Sequence, residues 1–253
     1  MPTALVRRPG PRLAEGLVTH VDRVPVDLDL ARRQWEGYVA ALDASGWTTV
    51  EVEPADDCPD AVFVEDSAIV HGDLAVVTRP GAPQRRPETA GTAAALEAAG
   101  LRTVRLAAPA TLDGGDVMQV GRTVYVGEGG RTNAAGITQL AGHLEPLGAS
   151  VVAVPVTRVL HLKSAVTALP DGTVIGHAPL VDTPELFPSF LPVPEEPGAH
   201  VVVLDPGTVL MATGAPRTMA LLADRGLDVV TVDVGEFTKL EGCVTCLSIR
   251  LRD

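Results

Sequence analysis

The feature that most constrains this chain is a recurring order of short elements: strand, glycine turn, returning strand, helix, closing strand. The order repeats at a spacing of roughly 50 residues. It is clearest where residues 67–70 and 74–77 are joined by His71-Gly72-Asp73 and lead through a loop at 79–83 into a helix over 87–99, stopped by Gly100, and a strand over 103–106. The next unit pairs 116–120 with 123–126 across Gly121-Arg122, continues as a helix over 131–147 and closes with a strand over 151–156. A fourth runs 164–169, turns at Pro170-Asp171-Gly172 and returns over 173–176. A fifth runs 201–204, turns at Asp205-Pro206-Gly207, returns over 209–212, enters a helix ending at Gly226 and closes over 229–232. Ahead of them all, a strand over 4–8, a helix over 27–46 and a strand over 47–52 make the first unit. In that helix Leu30, Trp35, Tyr38, Val39 and Leu42 share one side. Residues 61–64 are expected to form a strand leading into Glu65-Asp66, and the proline-rich 188–197 a surface loop of the fourth unit. Five such units account for nearly the whole chain, which predicts one closed α/β domain over residues 1–253. An open α/β sandwich with accidental regularity is the alternative.

Composition removes several function classes. A chain of 253 residues that is 46% hydrophobic can bury a sizeable core. The amino terminus is broken by proline and arginine before any apolar region develops, and runs such as 151–156 are too short to span a bilayer, so neither a signal peptide nor a membrane segment is expected. Three cysteines make no disulfide framework and suit a reducing cytoplasm. A net charge of −12 argues against a nucleic-acid surface and for a cationic or neutral ligand. His20, His71, His143, His161, His177 and His200 show no metal-ligand spacing, so no metal and no cofactor is expected.

The chemistry-bearing residues lie near strand ends. Residues 244–251, with Ser248 and Arg250 alternating against Leu247, Ile249 and Leu251, look like a half-buried strand with Cys246 near its start. Cys243 and Cys246 form a C-x-x-C. On a strand, residues three apart face opposite sides, which argues against a disulfide or a shared metal. Asp60, Glu65 and Asp66 place three carboxylates within seven residues, Asp113-Gly114-Gly115-Asp116 sets acids about a tight turn, and His161 precedes the fourth hairpin. Each alone also fits a turn, a solvated edge or a structural histidine. Together they provide a cysteine nucleophile, a histidine and an orienting acid, with surplus carboxylates suited to a planar guanidinium.

The segments CPDAVFVEDSAIV, TRPGAPQRR, LDGGDV, GRTNAAG, LHLKS and VTCLS, in this order and at these distances, resemble the dimethylarginine dimethylaminohydrolases of the guanidino-modifying, or pentein, superfamily. The resemblance covers essentially the whole chain. It implies a five-bladed α/β-propeller of ββαβ units around a central active site, and a cofactor-free hydrolase converting methylated arginine to citrulline. Cys246 matches the family nucleophile, His161 the general acid and base, and Asp113 the acid that orients the histidine, where some relatives carry glutamate. Asp66 is implied to grip the guanidinium with Glu65 and Asp60 around it, and Arg85 and Arg131 to bind the substrate carboxylate. Leu17 and Leu240 match positions of backbone or apolar contact, Leu17 within a lid loop over residues 16–20. Exposed edges of the terminal blades suggest a homodimer. Another guanidino hydrolase, such as an arginine deiminase, and a catalytically silent binding module are the competing readings. An acidic pocket should raise the Cys246 thiol pKa, which leaves substrate cation and protonated His161 to generate the thiolate in the complex.

Overall fold

The computed structural model describes residues 2–252. In chain order it comprises β1 (Thr3–Val6), α1 (Leu28–Ala44), β2 (Thr48–Glu51), β3 (Ala68–His71), β4 (Leu74–Val77), α2 (Thr89–Ala98) and β5 (Arg102–Arg105). Next come β6 (Val117–Val120), β7 (Thr123–Glu128), α3 (Ala134–Leu144), β8 (Ser150–Pro155), β9 (Val166–Ala168), β10 (Val174–Gly176) and β11 (Phe190–Pro192). The chain ends with β12 (Val201–Asp205), β13 (Thr208–Ala212), α4 (Pro216–Asp224), β14 (Asp228–Val232), α5 (Gly235–Thr238) and β15 (Ser248–Leu251). The strands form five three-stranded sheets, each with a middle strand paired antiparallel to an inner strand and parallel to an outer one. This is the α/β-propeller expected from the repeat. No described helix is long and apolar enough to cross a membrane.

The first unit is completed by the other end of the chain. β15 pairs antiparallel with β1, Thr3 opposite Leu251 and Val6 opposite Ser248, and β2 lies parallel on the far side. The last strand thus supplies the hairpin partner that the first unit lacks, closing the ring. Each sheet keeps two edges, an inner one at β3, β6, β9, β12 or β15 and an outer one at β2, β5, β8, β11 or β14.

Local chemistry explains the elements. The two-residue turns between His71 and Leu74 and between Val120 and Thr123 each open with a glycine at positive φ, 58° for Gly72 and 59° for Gly121. Asp27 caps α1 by accepting from the Leu30 amide at 2.9 Å, and the helix buries Ala31, Trp35, Tyr38 and Leu42 on the sheet side. The Tyr38 hydroxyl meets Ser248 Oγ at 2.7 Å, tying that helix to the closing strand.

Three expectations are corrected. Residues 61–64 are not a strand: hydrogen-bonded turns run into a 3-10 segment, Val64–Ser67, with Phe63 N donating to Asp60 O at 3.0 Å and Asp66 N to Phe63 O at 3.2 Å. Their hydrophobicity reflects burial, not extended pairing. Within 188–197 lies β11, parallel to β10, where the fourth unit needs its outer strand; Pro192 is tolerated at the end of an edge strand. Finally, residues 244–247 form a turn and the last strand begins at Ser248.

The inner strands β3, β6, β9, β12 and β15 surround an axial cavity of about 470 Å³. Each is entered through a turn at the same end of the ring: Val64–Ser67, Gly114–Asp116, Leu162–Ser164, Glu196–Ala199 and residues 244–247. Four of these turns carry or adjoin the chemistry-bearing residues, so the closed ring gathers side chains from distant parts of the chain.

Candidate active site

Asp66, His161 and Cys246 line one small, partly open pocket together with Asp60, Arg85 and Arg131. Leu17 and Leu240 lie on its wall. Asp113 is fully buried behind it: its Oδ2 accepts from His161 Nε2 at 3.1 Å and its Oδ1 from the Gly81 amide at 2.8 Å. With Nε2 committed to Asp113, Nδ1 is the ring nitrogen left for proton transfer, and it lies 3.8 Å from Asp66 Oδ1. That approach requires Gly115. A Cβ there would stand 2.6 Å from His161 Nδ1 and 2.7 Å from Asp66 Oδ1, while its backbone amide donates to Asp66 Oδ1 at 2.8 Å.

Asp66 is held from its other side by Arg85, whose Nη1 donates to Oδ2 at 2.6 Å. Arg85 Nε and Nη2 pair with the Glu88 carboxylate at 3.1 and 2.9 Å, and Nη2 also donates to the Asp60 and Phe63 carbonyls. Most of its donors are therefore spent within the protein, which makes Arg85 chiefly a brace for Asp66. Arg131 is freer: its Nη1 is 3.6 Å from Asp113 Oδ2 and its side chain keeps partial exposure. Asp60 accepts from the Leu17 amide at 3.0 Å, fastening the 16–20 loop over the pocket, and the Glu241 carboxylate receives the amides of Thr19 and His20. Glu241 has a φ of 61°, the one positive value among described non-glycine residues.

Glu65 faces away. Its Oε1 pairs with Lys163 at 2.6 Å and Arg250 at 2.9 Å, and it lines the axial cavity, while its backbone amide donates to the Cys246 carbonyl at 3.2 Å. Consecutive residues of one turn thus divide the axis, Asp66 toward the pocket and Glu65 toward the cavity beyond.

Burial opposes the His161 imidazolium, but Asp66, Asp116 and Asp113 outweigh it and lift its pKa from 6.5 to about 9. Burial also works against the Asp66 carboxylate; His161, Arg85 and the Gly115 amide prevail and bring it down to about 2. Cys246 sits in the turn entering β15, its amide donating to Cys243 O at 3.1 Å. The Cys243 sulfur, burial, and the carboxylates of Glu65 and Asp66 hold its thiol above the ordinary range, the direction expected from the acidic surroundings. The two sulfurs lie 3.5 Å apart, which overturns the expectation that Cys243 and Cys246 point to opposite faces; that expectation assumed a strand where the chain makes a turn.

A relative from Streptomyces coelicolor, an N(G),N(G)-dimethylarginine dimethylaminohydrolase, is 66% identical over 99% of this chain and 97% of its own. The chain belongs to the dimethylarginine dimethylaminohydrolase family. The Pseudomonas aeruginosa dimethylarginine dimethylaminohydrolase is 35% identical over 97% of this chain and 98% of its own. A family model described as arginine deiminase matches residues 44–197. Among solved structures, a dimethylarginine dimethylaminohydrolase adduct with S-methyl-L-thiocitrulline superposes with a TM-score of 0.92 at 32% identity, covering 98% of this chain and 99% of that one. The Pseudomonas enzyme, as a cysteine-to-serine mutant complexed with citrulline, gives 0.90 at 32% identity, covering 98% of each chain. The N-terminal domain of ArgZ, a cyanobacterial arginine dihydrolase, gives 0.84 at 21% identity over 99% of this chain and 98% of that one, a likeness of fold.

This member of the dimethylarginine dimethylaminohydrolase family also positions its site through residues to which the sequence assigned no role there. Asp116 receives the Leu162 amide at 2.9 Å and the Thr132 hydroxyl at 2.6 Å, and Thr132 Oγ1 in turn accepts the Asp113 amide at 3.2 Å. This network fixes the backbone beside His161 relative to Asp113. Glu88, three residues after Arg85, has the spacing of a helical ion pair, a signal that was available. Glu241 gave none, because its partners are some 220 positions away in sequence. Asp66, Asp113 and His161 bring ligating atoms within 4.8 Å of one another, a group that could hold a cation. Its carboxylate oxygens already accept from Arg85, Gly115, Gly81 and His161, so metal binding would compete with those bonds.

Proposed function

We propose that Cys246, His161, Asp113 and Asp66 carry out the hydrolysis of Nω-methylated arginine, the activity of this family, giving citrulline and dimethylamine or methylamine. The observation that carries the reading is the meeting of Cys246, His161 and Asp66 in one pocket, with the buried carboxylates of Asp66 and Asp60 in its wall. A guanidinium entering it meets the Asp66 carboxylate. Binding of the cation releases the Cys246 thiol proton to solvent; the thiolate sulfur then bonds to the guanidinium carbon, and the carbon–nitrogen bond to the methylated nitrogen breaks while His161 Nδ1 delivers a proton to the departing amine. Neutral His161 then takes a proton from water, whose oxygen adds to the thiouronium carbon. Collapse releases citrulline and returns the sulfur. Asp113 keeps the imidazole in one orientation, as the third member of a triad does. Arg131 takes the amino-acid carboxylate, and the Leu17 loop closes the pocket against water. Citrulline bound to the Pseudomonas relative is consistent with this product.

The arginine deiminase family match over 44–197 favours a second reading, turnover of unmethylated arginine. Release of the ureido product, citrulline from asymmetric dimethylarginine, monomethylarginine and arginine and N-carbamoylputrescine from agmatine, with Cys246→Ser as blank, separates the two. Dimethylamine formed with citrulline and lost in the blank supports the first reading. Turnover of arginine alone supports the second, and silence on all four overturns both. A cytoplasmic location and a homodimer formed through outer sheet edges belong to the same proposal; light scattering tests the latter.

A further inference from the structure

We propose that Cys243 is a resolving thiol and that Cys243 and Cys246 form a redox modification site, closing to a disulfide in the presence of a peroxide. The C-x-x-C lies in a turn closed by the Cys246 amide on the Cys243 carbonyl at 3.1 Å. Such a turn brings the two Cα atoms within about 7 Å, close to the range that a disulfide spans. The sulfurs are in contact at 3.5 Å, and both cysteines are free. Bonding at about 2.05 Å needs an approach of roughly 1.5 Å, within reach of side-chain rotation. Cys58, the remaining cysteine, is engaged elsewhere, its sulfur 4.0 Å from the Gln84 carbonyl.

The chemistry closes on itself. Cys246, which lines the substrate pocket, is reached by a small oxidant along the route taken by substrate. Its sulfur attacks one peroxide oxygen, the oxygen–oxygen bond breaks, and one water leaves once the Cys246 thiol proton is transferred, giving a sulfenic acid. Cys243 sulfur then attacks Cys246 sulfur and displaces the hydroxyl group, which departs as a second water with the Cys243 thiol proton. Two thiols lose two electrons and one peroxide becomes two waters. With Cys243 already in contact, ring closure competes with a second oxidation that would destroy the nucleophile. A dithiol reverses the bond by exchange and restores Cys246.

This inference rests on Cys246 being the nucleophile where loss of activity is concerned; formation of the bond does not depend on it. The test treats the reduced full-length protein with hydrogen peroxide and follows citrulline release, thiol count and the masses of its tryptic peptides. Both cysteines fall in one tryptic peptide, residues 240–250, while Cys58 lies in another. The expected result is a thiol count falling from three to one and that peptide lighter by two hydrogens. Activity should fall at least about tenfold and return with dithiothreitol, since exchange restores the thiol. In Cys243→Ser, and in Cys243→Ala should the serine variant fail to fold, excess peroxide should carry Cys246 past the reducible sulfenic acid to the sulfinic acid, so that inactivation relative to each variant's untreated activity resists dithiothreitol under the conditions in which wild type recovers. A peptide gaining oxygen atoms at Cys246 without losing two hydrogens overturns the proposal, as does equal recovery in wild type and variants. A disulfide that forms while activity persists overturns the assignment of Cys246 and leaves the modification site standing.

Discussion

Replacing His161 by glutamine should remove a specific portion of the protein's stability, and only on one side of neutral pH. The His161 pKa is 6.5 in an unfolded chain and about 9 in place, because Asp66, Asp116 and Asp113 outweigh the cost of burial. A pKa raised on folding contributes stability that is complete below the unfolded value and is lost as pH rises through the folded one. With about 1.4 kcal/mol for each unit, the contribution is about 3 kcal/mol, present below pH 6.5 and gone above 9. Asp66 shares this interaction from the other side: its contribution is present above 3.8 and disappears as pH falls toward 2. Urea unfolding of wild type and His161→Gln in dithiothreitol, at one pH below 6.5 and one above 9, isolates the term. Wild type should lose about 3 kcal/mol more than the variant between the two conditions, whatever other groups titrate in common. Losses equal to within about 1 kcal/mol would refute the charged buried pair, and with it a protonated His161 as the resting acid.

Three further outcomes follow from the same geometry. Gly115→Ala forces His161 and Asp66 apart, since its Cβ would stand within 2.7 Å of both, and should lower kcat by about a hundredfold, read by citrulline release with folding checked by circular dichroism. Arg85→Met leaves Asp66 and Glu88 buried without their cation and should cost about 3–5 kcal/mol in denaturant unfolding, more than loss of a substrate contact alone would. In a Cys243→Ser background, which removes the neighbouring thiol whose own pKa is lowered by the contact between the two sulfurs, thiolate absorbance should be absent at neutral pH without ligand and appear on adding a guanidinium ligand, vanishing when Cys246 is also replaced by serine; a thiolate already formed without ligand would contradict the raised Cys246 pKa.

The propeller was legible because its evidence is periodic: glycine turns between short apolar runs recur at even spacing, and each sheet carries the same pairing. Misreadings arose where hydrophobicity and extension part company. Residues 61–64 are as apolar as any strand, yet they are buried as turns, because the pocket needs Asp60 and Asp66 brought back toward each other around Arg85. The segment holding Phe190–Pro192 had the opposite fault, a strand hidden by prolines that an edge accepts. Residue types in the site were readable, but orientation was not. Glu65 and Asp66 are indistinguishable in sequence, and only the 3-10 turn sends one to each side of the axis. Closure of β15 on β1 had no local signal, since it joins the two ends of the chain.

That closure also explains why the proposed nucleophile, Cys246, sits where it does. A cysteine buried among carboxylates is poorly placed to be a thiolate, and a flexible loop would let it relax away from them. Cys246 has little such freedom: its carbonyl accepts the Glu65 amide at 3.2 Å, its amide is tied to Cys243, and the strand that follows is paired across the ring seam to β1. Gly242 presses against Phe63, where a Cβ would come within 2.2 Å of the ring, so the segment is clamped at its entry as well. The fold thus holds a thiol in an environment that disfavours its ionised form, and the charge that relieves the penalty arrives with a guanidinium substrate. With the thiolate favoured by a bound cation, selectivity among guanidino substrates follows from electrostatics as well as from shape.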